Sequence, residues 1–411
     1  MNSSGDSSRI VIIGAGHAGG RAAAALRDSG HLGPITLLGE EVYPPYERPP
    51  LSKDILDGAM EVSQAYLHSL DWYREHDIEL RMGNRVESID RLNKELLLED
   101  GGKESYDSLL ITTGARPRLS MIPGAIGPGI FYLRDINDSL ALRQQLRPGV
   151  RLAVIGAGLI GLEIAAVARK KGVNVLVLEL AKQVLTRVCP EVVSEYILSL
   201  HESNGVVVKT GIEVSRFEQS LEGVKIYTIS GEIFEVDIVS IGIGSIPNVE
   251  IAALAGIAVN NGIVVDEFGR SSDPDIFAAG DVAQHFNPVL NRSLRLESWQ
   301  NAQSQSNAVA RTMAGKETTY SEVPWFWTDQ YQVNLQIAGS PLKWDFLVMR
   351  GSILDKGFTV FQLDAGIPVA AVTVNNGRDM RPAMKMIEMG RTVDPLLLAD
   401  TSVKLQEFCR K

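Results

Sequence analysis

The feature that most limits what this chain can fold into is a unit that occurs twice: a strand, a glycine turn, a helix, a second strand and a closing acid. In the first copy Arg9–Ile13 reads as a short buried strand, followed by Gly14-Ala-Gly16-His-Ala-Gly19, an alanine-rich helix to about Arg27, and a strand over Ile35–Leu38 that ends at Glu40 and Glu41. In the second, Arg151–Ile155 leads into Gly156-Ala-Gly158-Leu-Ile-Gly161, a helix to about Lys171, and a strand over Asn174–Leu178 that ends at Glu179. Chance glycine turns rarely carry this context twice, with acids 26 and 23 residues past the first glycines. The pattern is that of a dinucleotide-binding βαβ unit. The first glycine permits the tight turn, the second lets the backbone approach a pyrophosphate, and the third lets helix and strand pack closely. The helix N-terminus then offers unpaired N–H groups and a partial positive charge to phosphate. The closing acid accepts hydrogen bonds from ribose hydroxyls, and a carboxylate at Glu179 disfavours a 2′-phosphate, which predicts NADH over NADPH. Lys182 lies close enough in sequence to soften that preference.

Composition narrows the class further. A length of 411 residues predicts two or three domains. The net charge of −10 makes nucleic acid a poor partner. Two cysteines, Cys189 and Cys409, exclude a disulfide scaffold and a four-cysteine cluster, and six scattered histidines give no metal site. The polar start, Met1–Ser8, lacks the basic and apolar segments of a secretory signal, and no run approaches the roughly 18 apolar residues of a membrane span. The expectation is a soluble cytoplasmic protein with no membrane attachment.

Two dinucleotide sites in one chain suggest FAD plus a nicotinamide nucleotide. Ser271–Asp281, a short strand ending in Gly280-Asp281, resembles the second FAD fingerprint of the glutathione-reductase superfamily of flavoproteins, in which this aspartate meets the ribityl chain of FAD. Ile111-Thr-Thr113-Gly114-Ala-Arg-Pro117 resembles the crossover from the FAD to the NAD domain, and Ile241-Gly242-Ile-Gly244-Ser-Ile-Pro247-Asn248 the return. The resemblance implies an α/β fold: two Rossmann-like dinucleotide-binding domains (FAD and NAD) and a C-terminal α+β domain. Its boundaries are 1–115 and 248–324 for the FAD part, 116–247 for the NAD part and 325–411 for the last domain.

Cysteine usage separates branches of that superfamily. Disulfide reductases need a close redox pair, whereas these two cysteines are 220 residues apart. Peroxidases and oxidases of the superfamily carry a redox cysteine after the first strand pair, where Val42–Leu51 has none. Electrons are therefore expected to leave the flavin directly. Pro44-Pro-Tyr-Glu-Arg48-Pro-Pro-Leu-Ser52-Lys53, Glu297-Ser-Trp299-Gln-Asn-Ala302 and Pro324-Trp325-Phe-Trp327-Thr-Asp-Gln330 closely resemble the oxygenase-coupled NADH-dependent ferredoxin reductases. That resemblance covers nearly the whole chain. It implies non-covalent FAD, NADH as donor, and a [2Fe–2S] ferredoxin as acceptor that supplies a cytochrome P450 or a Rieske ring-hydroxylating dioxygenase, in a monomer or homodimer. A rubredoxin or small-radical reductase shares the same flavin apparatus. A redox-sensing interaction protein resembling apoptosis-inducing factor is a third reading, disfavoured by the acidic balance.

The resemblance gives Lys53 a place beside the flavin, Glu163 a place near the nicotinamide and in partnership with that lysine, and Trp327 a place against the ring system. Their ordinary readings are a solvated lysine behind a Ser52 helix cap, an acid favouring a helix N-terminus, and a tryptophan in an apolar cluster. FAD contacts are expected from Gly14, Gly16, Gly19, Glu40, Arg48, Lys53, Thr113, Gly114, Arg134, Gly280, Asp281, Trp299 and Trp327. NAD contacts are expected from Gly156, Gly158, Ile160, Gly161, Glu163, Glu179, Gly242 and Gly244. Arg48 could instead pair with Glu47. His17 is expected to matter through its backbone, and Cys189 as a small buried hydrophobe. For an acidic ferredoxin, two locally basic stretches could form a face: Arg292, Arg295, Arg311 and Lys316 against Glu297, and Arg378, Arg381, Lys385 and Arg391 against Asp379 and Glu388. Solvated helix faces account for them equally well.

Overall fold

The computed structural model describes residues 8–410, so the reading of the polar start falls almost wholly outside the described residues. The chain forms two compact units, one from Met1–Arg48, Ser63–Arg116 and Ile246–Pro324, the other from Pro49–Val62, Pro117–Ser245 and Trp325–Lys411. The segment 49–62, inside the expected 1–115 part, thus packs with the second unit.

The first unit is built on a five-stranded parallel sheet in the order 276–278, 108–111, 10–13, 35–39, 78–82. The four residues of Ile10–Ile13 are all buried, without alternation, as a strand covered on both faces requires. The helix His17–Asp28 lays Ala22, Ala23 and Leu26 against Val309, Ala310 and Met313 of the helix Trp299–Met313. Small alanine side chains on that face permit close packing.

The second unit repeats the plan. Its parallel sheet runs 207–210, 174–179, 151–155, 238–241, 130–131. The helix Leu159–Lys170 follows the second glycine loop and buries Leu162, Ile164, Ala165 and Ala168. The C-terminal part of this unit is a five-stranded antiparallel sheet, 325–330, 333–339, 367–374, 358–364, 346–350. The helix Met380–Met389 buries Met380, Ala383, Met386 and Ile387. The sheet and the Rossmann-like part share one apolar core, in which Leu335, Ile337, Val360 and Val372 join Val154, Leu162 and Val177.

The local expectation at Ser52 fails. Pro49–Ser52 forms a 3₁₀ turn, the helix beyond it is one turn long, Asp54–Asp57, and its N-cap position is Lys53, without a side-chain cap. The Ser52 hydroxyl donates elsewhere, to the Glu163 carboxylate. No described helix is long and apolar enough to cross a membrane.

Candidate functional site

In the first unit the three loop glycines each meet a different constraint. Gly14 has φ +105°, and a Cβ there would lie 2.4 Å from the Thr112 carbonyl oxygen. A Cβ on Gly19 would lie 2.1 Å from the Gly14 oxygen, so this position lets the helix close on the turn. Gly16 is different: its Cβ would meet only Arg48 Nη2, at 3.8 Å. The space beside the second glycine is therefore left by the protein and bordered by a guanidinium, which suits a pyrophosphate. Arg48 pairs with Glu41 at 2.8 Å, and Glu47 pairs instead with Arg21 at 3.5 Å, which corrects the expected Arg48–Glu47 alternative. Tyr46 donates to the other Glu41 oxygen at 2.5 Å. Glu40, the acid past the second strand, is exposed and stands 4.0 Å from Arg85.

Other predicted FAD contacts have visible structural work. Thr113 Oγ1 donates to the Asn248 carbonyl and Asn248 Nδ2 to the Thr113 carbonyl, both at 2.8 Å, while Gly114 turns with φ +65°. Gly280 has φ +79°, donates its N–H to buried Gln305 at 2.9 Å, and leads into Asp281. Trp299 meets the His17 ring edge-on at 5.3 Å. Arg134, in the second unit, donates its backbone N–H to Asp138 in the capping box of the helix Ile136–Gln145.

Burial and the Arg21 charge push His17 down to about 4, and burial alone does the same to His285. Both rings therefore stay neutral in the folded chain while an unfolded histidine protonates near 6.5. Below that value the unfolded state binds more protons, so stability falls as pH drops from 6.5 toward 4. We expect the melting temperature to decline across that window, and less steeply in His285→Phe. An equal slope in the variant contradicts the assignment for His285.

The second loop has the same construction. Gly156 (φ +99°) would place a Cβ 2.5 Å from the Gly242 oxygen, and Gly161 one 2.2 Å from the Gly156 oxygen, but Gly158 faces open space within 4 Å. Gly244 turns with φ +111° beside Arg187. Ile160 is about half exposed on the first turn of the helix. The Glu179 carboxylate accepts the Ala157 N–H at 2.5 Å and the Ala181 N–H at 2.7 Å, which fixes it at the rim of the loop. Each loop thus presents one glycine whose missing side chain is a ligand's space, and the residues fit two dinucleotides.

Also in the second unit, Lys53, Glu163 and Trp327 come together. Glu163 is the fifth residue of the helix Leu159–Lys170, just past its first turn, and is 6% exposed. Its oxygens accept from the Ser52 hydroxyl and from Thr328 Oγ1 at 2.6 Å, and Lys53 Nζ lies 3.4 Å away. Burial pushes the carboxyl above its ordinary range, against the pull of Lys53 and the two hydroxyls. Lys53 Nζ also donates to Asp329 Oδ2 at 3.0 Å and stands 5.5 Å from the Trp327 ring centre. Trp327 stacks on Trp325 at 5.1 Å, and its Nε1–H donates to Asp329 at 3.1 Å. Asp329 therefore ties the lysine to the indole. Sequence reasoning missed Ser52, Thr328 and Asp329 as partners, although alternation along Trp325–Gln330 separates 327 and 329 from 328 and 330.

Neither thiol is prepared for redox chemistry. Burial pushes Cys189 up to about 12, and Cys409, half-buried against the Pro382 and Leu405 carbonyls, is also raised by burial. A family model described as pyridine nucleotide-disulphide oxidoreductase matches residues 8–306. The chain belongs to this family. A second model, described as reductase C-terminal, matches residues 325–409 of the oxidoreductase. It is 42% identical over 97% of its length to the anthranilate 1,2-dioxygenase system ferredoxin–NAD(+) reductase component of Burkholderia cepacia, covering 98% of that protein. Putidaredoxin reductase of Pseudomonas putida is 39% identical, with 97% of this chain and 96% of that one covered. Among solved structures, the covalent putidaredoxin reductase–putidaredoxin complex superposes with a TM-score of 0.94 at 38% identity, covering 98% of both chains.

Of the locally basic stretches of the oxidoreductase, Arg311, Lys316, Arg378, Arg381, Lys385 and Arg391 are exposed, whereas Arg295 turns inward. Arg295 has a side chain only 9% exposed, pairs with Glu297 and donates to the Asp281 carbonyl at 3.0 Å. Lys316 donates to the Ser29 carbonyl, and Lys385 pairs with Glu388. Arg295 is thus part of the interior beside Gly280-Asp281 and not of a docking face.

Proposed function

We propose that this oxidoreductase is an FAD-dependent NADH:ferredoxin reductase, carrying electrons from NADH to a [2Fe–2S] ferredoxin that supplies a P450 or a Rieske dioxygenase. The observation that carries the reading is the pair of glycine loops, each open at its second glycine, in a chain without a reactive thiol. Full-length similarity to reductases of a dioxygenase system and of putidaredoxin supports it. Bound FAD would supply the conversion of a two-electron donor into one-electron deliveries. The chain's own residues do the rest. Gly14, Gly16 and Gly19 with Arg48 would hold the FAD pyrophosphate, and Asp281 the ribityl chain. Gly156, Gly158 and Gly161 would hold that of NADH, with Glu179 on its ribose. Lys53 keeps a fixed positive charge that favours the electron-rich state of the flavin, and Glu163 orients the nicotinamide. Such a reductase works in the cytoplasm, where NADH is available.

The test is NADH turnover with a panel of acceptors: a [2Fe–2S] ferredoxin from an oxygenase system, a rubredoxin, and monodehydroascorbate. We expect the ferredoxin to give the highest kcat/KM. A higher value for either other acceptor rejects the ferredoxin assignment and keeps the flavin reading.

A further inference from the structure

The buried side of the strand Trp325–Gln330 carries a polar chain that the proposed reaction does not yet use. Thr328 is 0% exposed, Gln330 1% and His201 0%. Thr328 Oγ1 donates to Glu163 Oε1 at 2.6 Å, Gln330 Nε2 donates to Thr328 Oγ1 at 3.2 Å, and His201 Nε2 lies 2.7 Å from Gln330 Oε1. The Tyr331 hydroxyl stands 3.5 Å from His201 Nδ1. These groups come from a strand, the turn after it and the helix Glu191–Ser203, far apart in sequence, and they converge on one carboxylate.

Direction follows from chemistry. Paired with Lys53 at 3.4 Å as a carboxylate, Glu163 only accepts, so Thr328 gives its single proton to Glu163 and toward Gln330 can only accept. The Gln330 amide nitrogen then points to Thr328 and its oxygen to His201. A carbonyl oxygen only accepts, so His201 must carry its proton on Nε2. That leaves Nδ1 as the acceptor facing Tyr331. Burial, which disfavours the imidazolium, keeps the ring neutral. Every donor in the chain points toward Glu163, and each bond polarises the next.

We infer that Thr328, Gln330 and His201 are positioning residues for Glu163, a one-directional hydrogen-bond chain that holds its carboxylate ionised and aimed for the partnership with Lys53. The inference rests on the proposed role of Glu163 toward the nicotinamide. The same four groups would pair in the reverse sense around a protonated Glu163, so the tautomer of His201 reports which state of the carboxyl the chain supports.

Two measurements on the FAD-loaded protein test it. Nitrogen-15 NMR of the imidazoles, with the His201 signal assigned by its loss in His201→Gln, should show the neutral Nε2–H tautomer. An Nδ1–H tautomer or an imidazolium overturns the inference without reference to turnover. Anaerobic stopped-flow at saturating NADH should show flavin reduction slowed about tenfold in Thr328→Val, which keeps the shape and loses the donor. Thr328→Ser, which restores the hydroxyl, should return to within about twofold of the parent, and reoxidation by ferredoxin should be unchanged in both. Gln330→Met, one bond further out, carries the same expectation of slowed reduction should Thr328→Val fold poorly. Parental reduction rates in Thr328→Val and Gln330→Met overturn the inference. A parent protein that NADH does not reduce overturns the proposed function instead, and the tautomer still decides the direction of the chain.

Discussion

Replacing Lys53 by Met should slow flavin reduction by NADH on the order of 100-fold while leaving FAD bound. Lys53 Nζ is held between Glu163 at 3.4 Å and Asp329 at 3.0 Å, with its side chain 15% exposed, so its charge is fixed and only partly hydrated. A fixed cation favours an electron-rich partner more than a mobile, hydrated one does. Methionine keeps the stem and removes the charge. It also strands the buried Glu163 carboxylate, and breaking a buried pair from one side costs about 3–5 kcal/mol of stability. Lys53→Met alone therefore lowers both rate and melting temperature. The double variant Lys53→Met/Glu163→Gln, set against Glu163→Gln alone, separates the two effects. The amide introduced by Glu163→Gln would keep hydrogen bonds to Ser52 and Thr328 without a stranded charge, so stability should recover while reduction stays slow. Recovery of rate along with stability contradicts an electrostatic role for Lys53.

The second large effect concerns Gly158. A Cβ there meets no heavy atom within 4 Å, and the backbone, at φ −80° and ψ −178°, is extended as any residue allows. Gly158→Val should therefore fold with normal stability and keep its flavin colour. Its KM for NADH should rise on the order of 100-fold, because losing two hydrogen bonds to a charged phosphate costs about 3 kcal/mol. Gly161→Val is the contrast: its Cβ would sit 2.2 Å from the Gly156 carbonyl oxygen, so it should unfold the second unit without any ligand present. Unaltered NADH affinity in Gly158→Val would contradict the placement of the nicotinamide nucleotide on this loop.

The glycine loops were legible because their demands are local. A positive φ, a close helix and an open approach each select glycine at a fixed spacing, and the flanking strands are unbroken apolar runs. The strand boundaries at 10–13 and 151–155 lie within one residue of those read from the sequence. The surroundings of Glu163 were not legible in the same way. Ser52 follows a proline-rich turn and reads as a helix cap, yet the helix behind it is a single turn and its hydroxyl serves a carboxylate 111 residues away. His201 is one of six scattered histidines, and nothing near it in the sequence marks a partner. Only the antiparallel sheet of residues 325–374 brings Gln330 to it. Arg295 reads as a surface charge because nothing local shows that it turns inward to Glu297 and the Asp281 carbonyl. Pairings of this kind are set by tertiary approach, to which sequence spacing is blind. Alternation along Trp325–Gln330 was the one available signal, since it places Thr328 and Gln330 on the face opposite Trp327 and Asp329.

The central claim, that one chain takes electrons from NADH onto FAD and passes them to a [2Fe–2S] ferredoxin, is tested most directly by anaerobic stopped-flow absorbance with the two partners added in turn. Rapid bleaching of the flavin band near 450 nm (roughly, the usual position for FAD) is expected on mixing with NADH, followed by fast return on mixing with oxidised ferredoxin. Bleaching without return on adding ferredoxin would contradict the acceptor, and a colourless purified protein would contradict the cofactor.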